Sequence, residues 1–145
     1  MQPSNLPLWT SPGERHKDNE SETKRGPVLV VEDDPAILSS VADILEFEGY
    51  SVETATDGAQ GLSVLERVTP TLILLDMRMP VLNGWDFARI MKERGISVPI
   101  LVMTAAQDAR RWAQEIGADG YIAKPFHILD LIASVQRFYP STTDD

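Results

Sequence analysis

From Pro27 to Tyr139 the chain alternates short apolar runs with helical stripes, five times over. No other feature constrains the fold as much. A strand followed by a helix, repeated, gives a parallel sheet with helices on both faces, because each crossover must return over the sheet. The first run, Val28-Leu29-Val30-Val31, is rich in β-branched residues. Asp34-Pro35 then supplies a capping carboxylate and a proline at the first helical position. Ile37, Val41, Ile44 and Leu45 recur at helical spacing, and Gly49 ends that helix. Ser51 to Ala55 reads as a second strand. Leu62, Leu65 and Val68 mark a second helix, with Pro70 beyond its end.

The third run, Leu72-Ile73-Leu74-Leu75, is apolar without interruption, as suits a parallel strand covered on both faces. Phe87, Ile90 and Met91 form the inner stripe of a third helix that closes near Gly95. Ile100 to Met103 is a fourth strand. Ala109, Trp112, Ala113 and Ile116 mark a fourth helix. It is expected to be abbreviated, because the segment between Thr104 and Lys124 looks short. Tyr121-Ile122-Ala123 is a fifth strand, and Ile128, Leu131, Ile132, Val135 and Phe138 mark the last helix. The expected fold is α/β, a single doubly wound parallel sheet of five βα units over residues 27–139.

The flanks differ. Residues 1–26 carry prolines and then a run, Glu14 to Arg25, of four acidic and four basic residues without apolar periodicity. They read as a disordered tail, or alternatively as a docking segment around Leu6, Leu8 and Trp9. Residues 140–145 read as a short C-terminal tail, leaving no room for an output domain. The balance of 22 acidic against 13 basic residues, net −9, shows no basic stripe, so neither nucleic acid nor an anionic membrane surface is an expected partner. The absence of cysteine excludes disulfides, thiol catalysis and Cys-bound metals, and fits a cytoplasmic location. No apolar run approaches the roughly 20 residues that span a bilayer, and residues 1–10 do not read as a secretory signal.

In an open parallel sheet, ligands sit beyond the carboxyl ends of the strands. There the sequence places Glu32, Asp33 and Asp34 after the first strand, Asp76 after the third, Thr104 after the fourth and Lys124-Pro125 after the fifth. Clustered carboxylates repel one another unless a cation sits among them, and hard oxygens with room for water favour Mg²⁺. A metal and a lysine can share the negative charge of a transferring phosphoryl group, and a hydroxyl can bond one of its oxygens. The set therefore reads as a carboxylate nucleophile beside a divalent metal. Singly, each residue has a plainer reading: Asp34 caps a helix, Lys124 is solvated, Thr104 is a strand residue. Their joint placement, each at a different strand end, decides for the site. His16 in the tail and His127 at the start of the last helix read as surface or cap residues. Trp112 reads as packed on the fourth helix, and Trp85 as a half-exposed candidate for partner contact.

Residues 28–139 resemble the receiver domain of two-component response regulators. The resemblance rests on Val28 to Asp34, on Leu75-Asp76-Met77-Arg78-Met79-Pro80 with Asn83-Gly84, on Met103-Thr104-Ala105, and on Gly117 to Phe126, in that order. It implies a flavodoxin-like strand order 2-1-3-4-5 and a phosphoacceptor at Asp76. It implies Mg²⁺ held directly by Asp33, Asp76 and the Arg78 carbonyl, and by Glu32 through water. Thr104 and Ala105 would meet the phosphoryl group with Lys124, Tyr121 would be the switch aromatic, and the Lys124-Pro125 bond would be cis. A histidine kinase or phosphotransfer protein would be the donor. A downstream protein, or a second copy in a homodimer, would bind the face of the fourth helix, fifth strand and fifth helix. The chain would not be an enzyme beyond self-phosphorylation and self-dephosphorylation. A phosphatase using an aspartyl nucleophile would want an acid two residues after Asp76, and position 78 is arginine. Two departures bear on phosphoryl lifetime. Arg78 is large and charged, able to pair with nearby acids or gate water, and Ala106 offers no polar group to position a hydrolytic water.

Overall fold

The computed structural model describes residues 26–140. The expected tail with its Leu6, Leu8 and Trp9 segment, His16 and residues 141–145 lie outside the described residues. Five strands alternate with five helices: β1 Val28–Val31, α1 Pro35–Phe47, β2 Val52–Ala55, α2 Gly58–Leu65, β3 Leu72–Asp76, α3 Gly84–Glu93, β4 Ile100–Ala105, α4 Ala106–Ile116, β5 Gly120–Lys124 and α5 Ile128–Gln136. All strand pairs are parallel, in the order β2-β1-β3-β4-β5. The alternation implied the parallel sheet with helices on both faces, and the resemblance implied this flavodoxin-like strand order.

The uninterrupted apolar runs follow from burial on both faces. Alternate residues along a strand point to opposite sides. Leu29, Val31, Ile73, Leu75, Ile100 and Val102 pack against Leu62, Val64, Phe87, Met91, Trp112 and Ala113 from α2, α3 and α4. Val28, Val30, Leu72, Leu74, Leu101 and Met103 pack against Leu38, Val41 and Leu45 of α1 and Leu131 and Val135 of α5. Every residue of β3 is buried. Fully burying a Leu or Ile side chain contributes roughly 1.5–3 kcal/mol, so both layers are anchored through this central strand.

Local chemistry sets the helix ends. Asp34 Oδ1 accepts from the backbone N–H groups of Ala36 at 2.9 Å and Ile37 at 3.3 Å, with Pro35 opening α1. Asn83 Oδ1 accepts from Asp86 N–H at 2.9 Å and caps α3. Gly117 closes α4 in the left-handed region at φ 69°, where a β-carbon would be strained.

The fourth helix corrects the sequence expectation. It is not abbreviated: α4 has 11 residues. The shortness lies in the connection, since β4 ends at Ala105 and α4 begins at Ala106. Smaller differences arise at helix ends. Val64 joins Leu62 as a buried apolar residue of α2, while Val68 and Phe138 follow the ends of α2 and α5. The ends of the described chain are tied together, because the Gly26 carbonyl accepts from Thr71 Oγ1 at 3.4 Å and from the Tyr139 hydroxyl at 3.2 Å.

Candidate functional site

β1 and β3 are neighbours, with Val31 level with Leu75. The residues that end or follow them therefore meet at one sheet edge. Carboxylate oxygens of Glu32, Asp33 and Asp76 lie within 4.8 Å of one another. Glu32 and Asp76 are buried, while Asp33 is exposed and opens the cluster to water.

One cation reaches this cluster from the far side of the sheet. Lys124 Nζ lies 2.7 Å from Glu32 Oε1 and 3.7 Å from Asp76 Oδ1. It starts from the end of β5, and the Lys124-Pro125 peptide is cis. Backbone donors add to it. Asp34 N–H bonds Glu32 Oε2 at 3.1 Å, and Arg78 N–H bonds Asp76 Oδ1 at 3.3 Å. Both Glu32 oxygens are thus engaged, and Asp33 is the acid most open to water.

Three carboxylates and one ammonium leave the cluster short of positive charge. Burial raises the Asp76 carboxyl, and the charge of Glu32 raises it further. Lys124 opposes them, and hydrogen bonding with Asp33 and Glu32 favours the protonated form, so the pKa is pushed from 3.8 up to about 7. The donor set fits a hard divalent cation: oxygen ligands, surplus negative charge and one side open to water. Glu32, Asp33 and Asp76 are the acids that could hold it.

The loop after β3 is built tightly. Met77 is fully buried beneath it. A β-carbon at Gly84 would lie 2.5 Å from Met77 Sδ and 2.8 Å from Met77 Cα. Only glycine lets α3 start this close, and Gly84 N–H bonds the Met77 carbonyl at 3.0 Å. Leu82 N–H bonds the Pro80 carbonyl at 2.7 Å, closing a three-residue turn around exposed Val81 at φ 71°. That is a strained position for a β-branched residue.

Thr104 is buried on β4, one residue past Met103, which is level with Asp76. Ala105 is level with Lys124. Tyr121, level with Val102, is 47% exposed. His127 stands at the cap position of α5 without a side-chain cap bond.

A profile of the response regulator receiver domain matches residues 28–136. The chain belongs to the response regulator receiver domain family. It is 38% identical over 120 residues to Response regulator MprA of Mycolicibacterium vanbaalenii, covering 81% of this chain and 52% of that protein. The receiver domain of Francisella response regulator 1452 superposes with a TM-score of 0.72 at 28% identity, covering 79% of this chain and 96% of that one. A CheY-like receiver domain protein of Methanospirillum hungatei does so with a TM-score of 0.68 at 34% identity, covering 77% and 90%. The chain spans about half the length of the curated relatives it matches. Among the described residues no helix is long and apolar enough to cross a membrane.

Of the receiver residues named from sequence, Glu32, Asp33, Asp76 and Lys124 meet at one point, and Thr104 and Ala105 end the adjacent strand. Nothing in the sequence signals the Lys124–Glu32 pair, because no local spacing relates the ends of β1 and β5. Nor does any pattern say where the Arg78 side chain goes. Its guanidinium pairs with no acid of the site; it lies over the Trp112 ring, 4.9 Å from the centroid. Trp112 is buried and meets Trp85 edge-to-face at 4.9 Å. Trp85 is half-buried, and its indole N–H donates to Glu115 Oε1 at 2.9 Å.

Proposed function

We propose that this receiver accepts a phosphoryl group on Asp76 from the phosphohistidine of a histidine kinase or phosphotransfer protein. An Asp76 carboxylate oxygen attacks phosphorus. The P–O bond forms as the P–N bond to the imidazole breaks, and the imidazole nitrogen leaves with the electron pair. The observation that carries this reading is the position of Asp76: it ends the buried central strand, among Glu32 and Asp33, with the Lys124 ammonium 3.7 Å away.

Mg²⁺, when bound, supplies the positive charge that lets an anionic carboxylate meet an anionic phosphoryl group. Asp33, Asp76 and the Arg78 carbonyl would hold it directly. Glu32, with both oxygens engaged, would act through water. Lys124, now on Glu32 at 2.7 Å, would turn to a phosphoryl oxygen, and Thr104 and Ala105 would offer a hydroxyl and a backbone N–H. A shift of the Thr104 loop passes straight into α4, because no connection separates β4 from α4. The exposed Tyr121 ring then turns inward, and the face of α4, β5 and α5 changes the partner it binds, whether a downstream protein or a second copy of the chain. Exposed Tyr121, Ile128 and Leu129 give β5 and the start of α5 apolar contact area. The protein is a switch and not a turnover enzyme, since position 78 holds no acid to protonate a leaving group. It works in the cytoplasm, where ATP-charged kinase histidines are found.

The test uses phosphoramidate, whose P–N bond stands in for phosphohistidine, with Mg²⁺, followed by borohydride reduction and peptide mapping. Reduction at Asp76 supports the reading. Reduction at another carboxylate, with Asp76 intact, refutes it.

A further inference from the structure

Arg78 is a charge the phosphoacceptor chemistry has not used. It stands two residues after Asp76, is exposed, and makes no ion pair among the described residues. Its backbone N–H faces Asp76 Oδ1, while its guanidinium lies on Trp112. Trp112 is the buried residue through which α4 meets Trp85 of α3, and the Trp85 bond to Glu115 fastens the same contact. Arg111, the other guanidinium near this ring at 5.8 Å, is held by Asp108 at 2.8 Å. Arg78 is therefore the cation near the ring that is free to leave it.

A guanidinium over an indole at an exposed edge makes a weak contact. A phosphoryl group makes a strong one, because the planar fork of arginine matches two phosphate oxygens at once. A phosphoryl group on Asp76 would place such oxygens beside the loop that carries Arg78. The two partners compete for one side chain, and the stronger one exists in only one state of the protein.

We propose that Arg78 changes partners on phosphorylation, leaving the Trp112 ring for the phosphoryl oxygens, so that α4 loses a tie to the phosphoacceptor loop. This rests on the phosphoacceptor reading of Asp76 and adds to it a second route to α4, separate from Thr104. The route is reciprocal: a partner that prefers α4 without the Arg78 contact makes Arg78 more available to the phosphoryl group.

The experiment uses the full chain with phosphoramidate and Mg²⁺, with occupancy of Asp76 followed by intact mass. Two readouts are taken. One is the emission of Trp112 in a Trp9→Phe, Trp85→Phe background; the other is amide exchange over residues 106–116 with all tryptophans present. As occupancy rises, Trp112 emission is expected to shift and α4 exchange to speed up about 2–5-fold, the factor that loss of one exposed cation–π contact corresponds to. Arg78→Met keeps the length of the apolar stem without the charge. It is expected to show the shifted emission and faster exchange before phosphorylation, and little further change after it. The inference is overturned if the unsubstituted chain shows neither change at full occupancy, or if Arg78→Met responds as that chain does. If Asp76 takes no phosphoryl group, the phosphoacceptor reading fails, and this inference with it.

Discussion

Replacing Asp76 by asparagine should make the metal-free protein more stable, with a pH dependence that exposes the cause. Asp76 is buried beside Glu32, and its carboxyl titrates at about 7 in the fold instead of 3.8. Well below pH 3.8, at about pH 2.5 and lower, the group is protonated in both the folded and unfolded states, so it costs nothing. As pH rises from there towards about 7, the unfolded chain gives up the proton while the folded chain keeps it, and stability falls. Above about pH 8 both states are ionised and the cost is constant. A shift of about three units, at about 1.36 kcal/mol each, bounds that cost at about 4 kcal/mol. That bound already includes the opposing attraction of Lys124 at 3.7 Å, but the buried amide that replaces the carboxyl carries a desolvation cost of its own, about 1–3 kcal/mol. The expected gain of Asp76→Asn at pH 8 is therefore about 1–3 kcal/mol, roughly 3–6 °C in Tm per kcal/mol for a domain of this size. Urea denaturation at pH 4.5, 6 and 8 in EDTA measures it. The gain should be small at pH 4.5 and largest at pH 8, and Mg²⁺ should narrow it by stabilising the chain that keeps Asp76. A gain that does not vary with pH, or a loss at pH 8, would refute the account of the acidic cluster.

Three further substitutions probe the same edge. Lys124→Ala leaves buried Glu32 without its partner at 2.7 Å and should cost about 3–5 kcal/mol at pH 7; most of this should return in the Lys124→Ala, Glu32→Gln double variant, by denaturant titration. Gly84→Ala drives a methyl to 2.5 Å from Met77 Sδ and should lower stability by about 1–3 kcal/mol, read as a lower Tm; an unchanged Tm would show that the loop does not need this approach. Val81→Gly relieves a β-branched residue at φ 71°. It should raise stability by about 1 kcal/mol after the added chain entropy of glycine, and calorimetry that shows a loss instead would contradict the strained turn.

The parallel sheet was legible because β1, β3 and β4 are written as continuous apolar runs, and the start of α1 carries the capping Asp34 followed by Pro35; α4 and α5 start without a side-chain cap. The acidic edge was legible for a related reason: residues that end neighbouring parallel strands must meet, whatever their separation in sequence. Long side chains crossing that edge were not legible. Lys124 reaches Glu32 across 92 residues of sequence, and Arg78 reaches Trp112 from a loop to a helix. Neither reach leaves a periodicity or spacing to read. The length of α4 was misjudged because the count from Thr104 to Lys124 does not say whether a loop or a helix gives up residues, and in this chain the loop does.

The central claim is that Asp76 is the carboxylate that takes the phosphoryl group, and intact-mass measurement tests it directly. The chain and its Asp76→Asn variant are incubated with phosphoramidate, each with Mg²⁺ and with EDTA. The account predicts one base-labile phosphoryl group on the unsubstituted chain with Mg²⁺, little with EDTA, and none on Asp76→Asn. Undiminished labelling of Asp76→Asn would contradict it.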